Sequence, residues 1–358
     1  MSFDLLAQEV LDGMAGKNRG IPMGFQRLNH YIGIRRRILS LIFGATGSGK
    51  SAFLHSAYIL NPFDWYIANK NKPNSVKFKV IFFSMERSKV YILAKWVSRK
   101  IFLDYGVLIP LQKLLGWWED NKLTKDEHDL FLAHQDYINE LLEVVDIIEG
   151  PQNPTGIYKY VKKYAEANGR FDKISEYNTV YTPNSPNEIV IVAEDHLGLT
   201  KTEKGYEQKK QAIDKVSEYN QIFRDSYGYS PIAVSQLNRN LSNPIFQKLE
   251  SFEPTIDDVK ESGRPGEDAD IVISLFDPIR YKTTDPSYKV EKFIDPDSGA
   301  NYFRRVKILK NTYGEDLVGS GMGFQGVTGI FKELPKKALM TDFDYKELFN
   351  GSYFLTNK

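Results

Sequence analysis

Short apolar runs alternate along the chain with segments whose apolar residues recur at helical spacing. The runs that indicate buried strands are 38–43, 80–83, 144–148, 189–193, 232–234, 271–275 and 303–310. Helices are expected over 90–101, 155–167 and 206–226. Because strands separated by helices favour parallel pairing, the pattern predicts an α/β fold with a twisted, mostly parallel sheet and helices on both faces.

The two ends of the chain interrupt this alternation. Residues 3–14 have the apolar spacing of an amphipathic helix, and the Gly-containing segment 16–20 separates this helix from the rest of the chain. This helix either packs on its own domain or is a linker helix that docks on a neighbouring subunit. The Gly-rich tail over 314–332 predicts a hairpin. We therefore divide the chain into an N-terminal linker helix, 1–19, and one large domain, 20–358.

Two stretches within the large domain look inserted into the alternation of strands and helices. The first lies near 105–140, has helical character with acidic residues, and contains Trp117 and Trp118. The second lies near 170–187 and is polar and rich in Pro and Asn. Neither stretch repeats another part of the chain.

Composition narrows the class of protein without identifying it. The 358 residues carry a net charge of +1, so contact with nucleic acid would have to come from local basic patches. With no cysteine, disulfides and thiolate metal sites are excluded, and the five histidines show no metal-ligand spacing. No apolar run is long enough to span a bilayer, and the N-terminus lacks the features of a signal peptide. We expect no membrane partner and a cytoplasmic location.

A phosphate-binding loop pattern, G-x-x-x-x-G-K-[ST], is matched at every fixed position between the first strand and the helix after it. Its residues are Gly44, Ala45, Thr46, Gly47, Ser48, Gly49, Lys50 and Ser51. Glycines let the backbone turn tightly and aim its N–H groups at phosphate oxygens, and the helix N-terminus adds a favourable dipole. Lys50 would reach the β- and γ-phosphates of ATP, and Ser51 would be a ligand of Mg²⁺. The alternative is a Gly-rich turn that binds nothing.

Three polar side chains follow later strands, at the sheet edge where this class of fold binds its ligand. Asp195 ends one strand and would be the second anchor of Mg²⁺, although such a residue alone is also typical of a strand-end turn. Glu86 follows another strand and could activate the attacking water as a general base. Gln236 could sense the γ-phosphate, the alternative being a solvent-facing loop amide.

In this order, the pieces resemble the RecA-like motor domain of DnaB-type hexameric replicative DNA helicases. The matching segments are 20–25, the phosphate loop, 82–86, 195–199, 235–239, 260–263 with 268–272, and 310–314. Their order and approximate spacing match across about 18–335, and the segment 260–272 separates this family from RecA-type recombinases. The resemblance is to a phage-like version without the family's N-terminal helical domain.

The resemblance implies an ATP hydrolase that couples hydrolysis of Mg·ATP to 5′–3′ translocation on single-stranded DNA. It implies a homo-oligomer, a hexameric ring, with primase or a helicase loader as further partners, in the bacterial host cytoplasm if the protein is phage-encoded. The catalytic residues would be Glu86, Lys50, Gln236 and Lys310, with Lys310 reaching the γ-phosphate of a neighbouring subunit. The rival interpretation is a nucleotide-binding scaffold or assembly factor of the same fold, with weak hydrolysis and no unwinding.

DNA contacts are expected in two places. The resemblance places the single strand near the segment 260–263, and the loop over 200–210 independently offers four lysines and a tyrosine. The candidate residues are Lys260, Glu261, Gly263, Arg239, Lys201 and Lys204. The alternative for 200–210 is a solvated charged loop.

Three positions depart from the family: Thr312, Glu194 and His196, the last of which stands where the family often has Tyr. Thr312 stands where the family carries an arginine finger, two residues after Lys310, so we expect slow basal hydrolysis. Arg304 and Arg305 lie nearby in the sequence, but a shift of seven or eight residues along a strand moves a side chain by roughly 25 Å, which makes them poor substitutes. Glu194 stands where the family has an apolar residue.

Overall fold

The apolar runs fold as strands, with ends within a few residues of those predicted. The computed structural model describes residues 3–16, 18, 20–72, 75–176, 179–237, 253–259 and 263–355. The strands are β1 (Ser40–Gly44), β2 (Lys77–Ser84), β3 (Val145–Glu149), β4 (Gly169–Lys173), β5 (Thr179–Pro183), β6 (Glu188–Asp195), β7 (Ser230–Gln236), β8 (Ile271–Phe276), β9 (Phe303–Asn311), β10 (Gly319–Gln325) and β11 (Ile330–Glu333).

The pairing of these strands confirms the mostly parallel sheet. Nine strands form one sheet in the order β11-β10-β9-β8-β1-β7-β6-β2-β3, and β4 pairs with β5 in a separate sheet. All neighbours from β8 to β3 are parallel. Strands β9, β10 and β11 join the edge antiparallel, so the hairpin predicted in the tail is confirmed. Because β9 runs against β8, β9 begins at the edge where the parallel strands end.

The helices connect the parallel strands and cover both faces of the sheet. They are α1 (Phe3–Met14), α2 (Gln26–Tyr31), α3 (Lys50–Leu54), α4 (Asn61–Asn69), α5 (Lys89–Tyr105), α6 (Leu111–Leu114), α7 (Lys125–Ala133), α8 (Gln135–Val144), α9 (Pro154–Ala167), α10 (Lys209–Asp225), α11 (Arg264–Asp268) and α12 (Asp342–Asn350). A π-helical segment, His55–Leu60, joins α3 to α4. Side-chain caps fix two helix starts: Ser88 accepts the Tyr91 N–H before α5, and Asn153 accepts the Gly156 N–H before α9.

Alternate residues of the central strand enter two different hydrophobic cores. Ile42 of β1 packs on one face with Phe53 and Leu54, which directly follow the phosphate loop. Leu41 and Phe43 pack on the opposite face, together with apolar residues of α9 and α10. Since successive side chains of a strand point to opposite faces, both layers of helices are held by the same strand. This double burial fixes the position of the loop that leaves β1.

The N-terminal helix α1 exposes its apolar face. Phe3 and Met14 are 79% and 81% exposed, and Leu6 and Val10 are also exposed. Of the two interpretations of this helix, packing on its own domain is therefore wrong within the described residues. Docking on a neighbouring subunit stays a prediction.

The two inserted stretches have structures of their own. The first contains α6, α7 and the start of α8, and Trp117 and Trp118 are exposed there. The second forms the β4–β5 hairpin, which packs Phe171 against Tyr181 and Tyr227 with ring centroids 5.0 and 5.4 Å apart. The sequence did not predict these two strands. No helix in the described part of the chain is long and apolar enough to cross a membrane.

Candidate nucleotide-binding and catalytic site

The phosphate-binding loop lies where β1 ends and α3 begins. Gly44 is the last residue of β1, and its carbonyl accepts the Leu237 N–H at 3.0 Å. Gly47 and Gly49 have φ angles of 80° and 94°, which lie in the left-handed region that favours glycine. Lys50 then opens the helix. The backbone therefore turns as the sequence pattern requires, with the N-terminus of a helix at the end of the loop.

Lys50 lies over the loop and near two carboxylates. Its Nζ donates to the Ala45 carbonyl at 2.9 Å. Burial lowers the pKa of Lys50 to about 8, and the charges of Asp195 and Glu86 oppose that shift. The three groups that sequence reasoning placed around the nucleotide therefore lie close enough to interact electrostatically.

Asp195 and Ser51 form the candidate Mg²⁺ anchor. Asp195 ends β6 beside Ser84 of β2. Burial raises the pKa of Asp195 to about 6, and a hydrogen bond with the Ser51 hydroxyl opposes the shift. Asp195 Oδ1 is buried and has no hydrogen-bond partner among the residues that the structure describes. A buried carboxylate oxygen without a partner, next to a hydroxyl oxygen, fits a hydrated Mg²⁺, which takes oxygen ligands and few protein groups.

Glu86 and Gln236 lie at the same edge of the sheet. Glu86 follows β2, is half exposed, and forms an ion pair with Arg87 at 3.0 Å between Oε1 and Nη2. Gln236 is the last residue of β7 and pairs with Gly44. Its side-chain amide donates to His196 Nε2 at 3.3 Å. Gln236 therefore stands directly beside the first residue of the loop, and Glu86 follows a strand that ends on the same side of the sheet.

Two arginines contact the phosphate loop, and the sequence analysis predicted neither contact. Arg304 is buried, and its Nε donates to the Ser48 carbonyl at 3.1 Å. Arg280 is exposed, and a Cβ atom on Gly47 would lie only 2.0 Å from Arg280 Nη1. Asp277 connects them, since it pairs with Arg304 at 3.2 Å and accepts the Arg280 backbone N–H at 3.1 Å.

The sequence analysis placed Arg304 far from Thr312 along the strand, and its judgement that Arg304 is a poor substitute for the finger stays a prediction. Arg304 does lie at the other end of β9 from Lys310, but that end is where β8 and β1 finish. The antiparallel direction of β9 therefore brings Arg304 to the loop of its own chain. A signal for this contact was present in the sequence. β8 ends on the side of the sheet that carries the phosphate loop, so an antiparallel strand that follows it begins beside the loop.

Lys310 and Thr312 lie toward the end of the sheet at which the parallel strands begin, opposite the end that carries the phosphate loop. Lys310 pairs with Val272 near the start of β8, and its Nζ donates to the Glu267 carbonyl at 2.7 Å. Thr312 Oγ1 donates to the Asp270 carbonyl at 3.1 Å. A single chain does not bring these two residues to its own loop, and their action on a neighbouring subunit stays a prediction.

The candidate DNA contacts are only partly described. Lys204 is exposed in a turn in which Glu203 pairs with Tyr206, and Lys201 is exposed at the start of the same loop. Glu203 accepts the Thr155 hydroxyl at 2.9 Å, which ties the loop to α9. Gly263 is exposed just before α11. Lys260, Glu261 and Arg239 lie outside the described residues.

Tyr206, the aromatic residue of this loop, already has a cation on its ring. Lys215 Nζ lies 5.6 Å from the ring centroid. Stacking of a base on that face would displace the lysine.

Glu194, the residue before the Mg²⁺ anchor, is fully buried. Its Oε2 accepts from Asn220 Nδ2 at 3.0 Å. Burial raises the pKa of Glu194 to about 8, and the Asn220 hydrogen bond opposes the shift. Oε1 of Glu194 and Oδ1 of Asn220 are both buried without a partner within the described ranges. A protonated carboxyl group has the donor that such an arrangement lacks.

Comparisons with known proteins agree with the resemblance drawn from the sequence. Residues 173–317 match the family described as DnaB-like helicase C terminal domain. A solved structure described as an ATPase domain is similar with a TM-score of 0.66 and 20% identity, over 93% of this chain and 99% of that chain. Another, described as "The Structure Of A DnaB-Like Replicative Helicase And Its Interactions With Primase", is similar with a TM-score of 0.66 and 22% identity, over 92% of this chain and 67% of that one. No curated protein matches the chain. The resemblance to a DnaB-type RecA-like domain is thereby confirmed, and so is the fold.

Proposed function

We propose that this chain, whose residues 173–317 match the DnaB-like helicase C-terminal domain, is an ATP-driven motor that translocates on single-stranded DNA. The observation that carries the proposal is the convergence of Lys50, Asp195 and Glu86 on the phosphate loop. The charges of Asp195 and Glu86 act on the pKa of Lys50 against the effect of burial, which supports their proximity to it. A loop that bound nothing would have no need for a buried lysine near two carboxylates.

Each of these groups has a distinct part in hydrolysis. Lys50 and the loop N–H groups would hold the phosphates, and Ser51 and Asp195 would hold Mg²⁺. When bound, Mg²⁺ neutralises charge on the β- and γ-phosphate oxygens. Glu86 would accept the proton of the attacking water, and its half-exposed position gives that water access. Gln236 would report the γ-phosphate to the loop that follows β7.

Arg280 is the group best placed to compensate for the missing finger. Its guanidinium lies against Gly47, in the same chain as the loop. The exposed side chain can move to a phosphate, whereas Arg304 is buried and already bonded to the Ser48 carbonyl. An arginine finger contributes about 10³–10⁵ in turnover to related enzymes. We infer that Arg280 supplies part of this stabilisation in cis.

Assembly into a ring would complete the site from a second chain. Lys310 lies at the far end of β9 from Arg304, and a backbone carbonyl is the partner that a neighbour's phosphate would replace. The exposed apolar face of α1 supports contact with another subunit. A hexamer, 5′–3′ polarity, and contact with primase or a loader are part of this proposal.

Thr312 favours a second candidate, a nucleotide-binding scaffold or assembly factor of the same fold. In that case nucleotide would bind and gate assembly, with little hydrolysis. The exposed Thr312 hydroxyl bonds to the Asp270 carbonyl and carries no charge for a γ-phosphate.

Steady-state ATP hydrolysis with and without single-stranded DNA tests the proposal. We expect the wild type to hydrolyse ATP faster with DNA, and Lys50→Ala to abolish hydrolysis and weaken nucleotide binding. Lys122→Ala, in the inserted helical stretch, is the matched control and should behave as wild type. Wild-type turnover in Lys50→Ala would contradict the assignment of the site. Binding of ATP without turnover in any variant would favour the scaffold.

A further inference from the structure

Strand β10 has glycine at every second position of its first half. Gly319 and Gly321 share one face of the sheet, because alternate residues of a strand point the same way. A cavity of about 850 Å³ lies over these two glycines. A Cβ on Gly319 would lie 3.3 Å from Arg305 Nε, and one on Gly321 would lie 2.5 Å from the Tyr288 ring. The missing side chains therefore make the room, and we call this cavity the glycine trough.

The walls of the glycine trough are basic. Its lining residues include the cations Arg27, Arg305, Lys336 and Lys337, together with His30. Two carboxylates pair with this set: Glu333 lies 3.9 Å from Arg27 Nε, and Asp285 lies 3.7 Å from Arg305 Nη1. Both distances exceed those of good hydrogen bonds.

These two carboxylates also serve the backbone. Glu333 accepts the Arg27 and Leu28 N–H groups at 2.8 and 3.0 Å. Asp285 accepts the Ser287 and Tyr288 N–H groups at 2.8 and 3.0 Å. These two carboxylates face the four cations Arg27, Arg305, Lys336 and Lys337, so they compensate the positive charge of the trough only in part.

Arg305 is the cation for which a ligand is most needed. Its side chain is 14% exposed, and its Nε is buried and has no hydrogen-bond partner within the described residues. A guanidinium presents five donors in a fixed plane, and a buried donor without an acceptor is costly. An anion with several oxygen acceptors would accept the hydrogen bonds of the Arg305 guanidinium that Asp285 does not accept.

The lining also indicates the class of that anion. An arginine guanidinium can donate two parallel hydrogen bonds to the oxygens of one phosphate. Two lysines at the rim add positive charge that attracts a phosphate without requiring a fixed orientation. Tyr31 lines the same cavity with a half-buried side chain and offers ring surface to a base. The cavity of about 850 Å³ falls within the roughly 300–1,000 Å³ typical of small-molecule sites. We propose that the glycine trough binds a nucleotide through its phosphate groups.

This site is separate from the phosphate loop and does not depend on the proposed function. Arg304 and Arg305 are consecutive on β9 and point to opposite faces of the sheet. Arg304 bonds to the loop at Ser48, whereas Arg305 lies beside Gly319 and Gly321. A nucleotide in the trough would therefore lie on the other face of β9 from the loop.

Calorimetric titration of the full chain with ADP tests the proposal. We expect two ADP sites per wild-type chain, of which Lys50→Ala removes the one at the loop. The double variant Lys336→Glu and Lys337→Glu should weaken the other at least about tenfold, because each change replaces a favourable charge by a repulsive one. Arg305→Gln should weaken it similarly. Lys125→Glu, an exposed charge reversal on α7, is the control and should keep both sites.

The exposed lysines keep the test valid if Arg305→Gln does not fold. A single ADP site that Lys50→Ala removes would overturn the proposal, and so would a second site that persists in the lysine variant. A site that survives Lys50→Ala and is lost in the lysine variant would support the trough even if the loop did not bind ATP. The proposal would also be overturned if inorganic phosphate bound to the trough as tightly as ADP. The same holds if the lysine variant weakened the binding of a single-stranded oligonucleotide and left ADP binding unchanged.

Discussion

The buried carboxyl group of Glu194 should make this protein less stable as pH rises through neutrality. In the folded chain, burial raises the pKa of Glu194 to about 8, whereas an unfolded chain ionises it near the ordinary value of about 4.3. Between these values the folded state holds a proton that the unfolded state has lost. The stability that Glu194 contributes is therefore complete below the unfolded pKa and is lost as pH rises toward the folded pKa.

The window from pH 6.5 to 8 isolates this residue from the other strongly shifted groups. Asp195, with a pKa of about 6, acts below the window. Burial lowers the pKa of His55 to about 3, so its effect ends near its unfolded pKa of about 6.5. Lys50, with a pKa of about 8, acts above the window. Each pH unit then changes the free energy of unfolding by about 1.4 kcal/mol, or roughly 2 kcal/mol across the window.

Glu194→Gln removes the titration and keeps a neutral side chain of the same shape. Its amide can also donate to Asn220 Oδ1, which has no partner in the described structure. Urea unfolding followed by tryptophan fluorescence, at half-unit steps from pH 6.5 to 8, measures the effect. We expect the free energy of unfolding to fall by roughly 2 kcal/mol in the wild type and to stay nearly level in the variant. Glu291→Gln, at an exposed position, should follow the wild type. Parallel pH profiles for wild type and Glu194→Gln would refute the reasoning.

Three further predictions concern the candidate catalytic and DNA-binding residues. If Glu86 is the general base, Glu86→Gln should bind Mg·ATP normally in equilibrium titrations and lose at least about a hundredfold in turnover, and poor binding with normal saturated turnover would contradict this role. If Arg280 acts in cis, Arg280→Ala should lower kcat with little change in KM, in a manner independent of protein concentration, and Thr312→Arg should raise kcat only at concentrations that allow assembly. Lys201→Ala and Lys204→Ala should each reduce the salt dependence of single-stranded DNA affinity by roughly 0.7 units of slope, and unchanged affinity and slope would exclude the loop as a contact.

The parts of this molecule that follow a local pattern could be predicted from the sequence. The phosphate loop follows from eight consecutive residues with glycines at fixed spacing, between an apolar strand and a helix. The parallel strands could be predicted because burial on both faces requires continuous apolar runs. Asp195 and Gln236 could be placed at one edge because parallel strands end on the same side of a sheet.

The parts that depend on long-range geometry could not be predicted. Arg280 reaches Gly47 through a turn anchored by Asp277, and no local pattern specifies where that turn points. The β4–β5 hairpin rests on isolated aromatic contacts, such as that of Phe171 with Tyr181, within an otherwise polar stretch. The glycine trough arises from residues near 27, 288, 305, 319 and 336, which only the folded sheet and α2 bring together.

The opposite orientations of Arg304 and Arg305 limit how the length of β9 can change. An insertion or deletion of one residue within the strand would turn every side chain after it to the other face. A deletion before Arg304 that slips the pairing of β9 with β8 by one residue would bring Arg305 to the position of Arg304 at the phosphate loop, and the trough would receive the next side chain of the strand. A change of two residues would restore the faces but shift the arginines by roughly 7 Å along the strand. We therefore expect variation in length to be tolerated in the connection between β8 and β9 and to be absent from β9 itself.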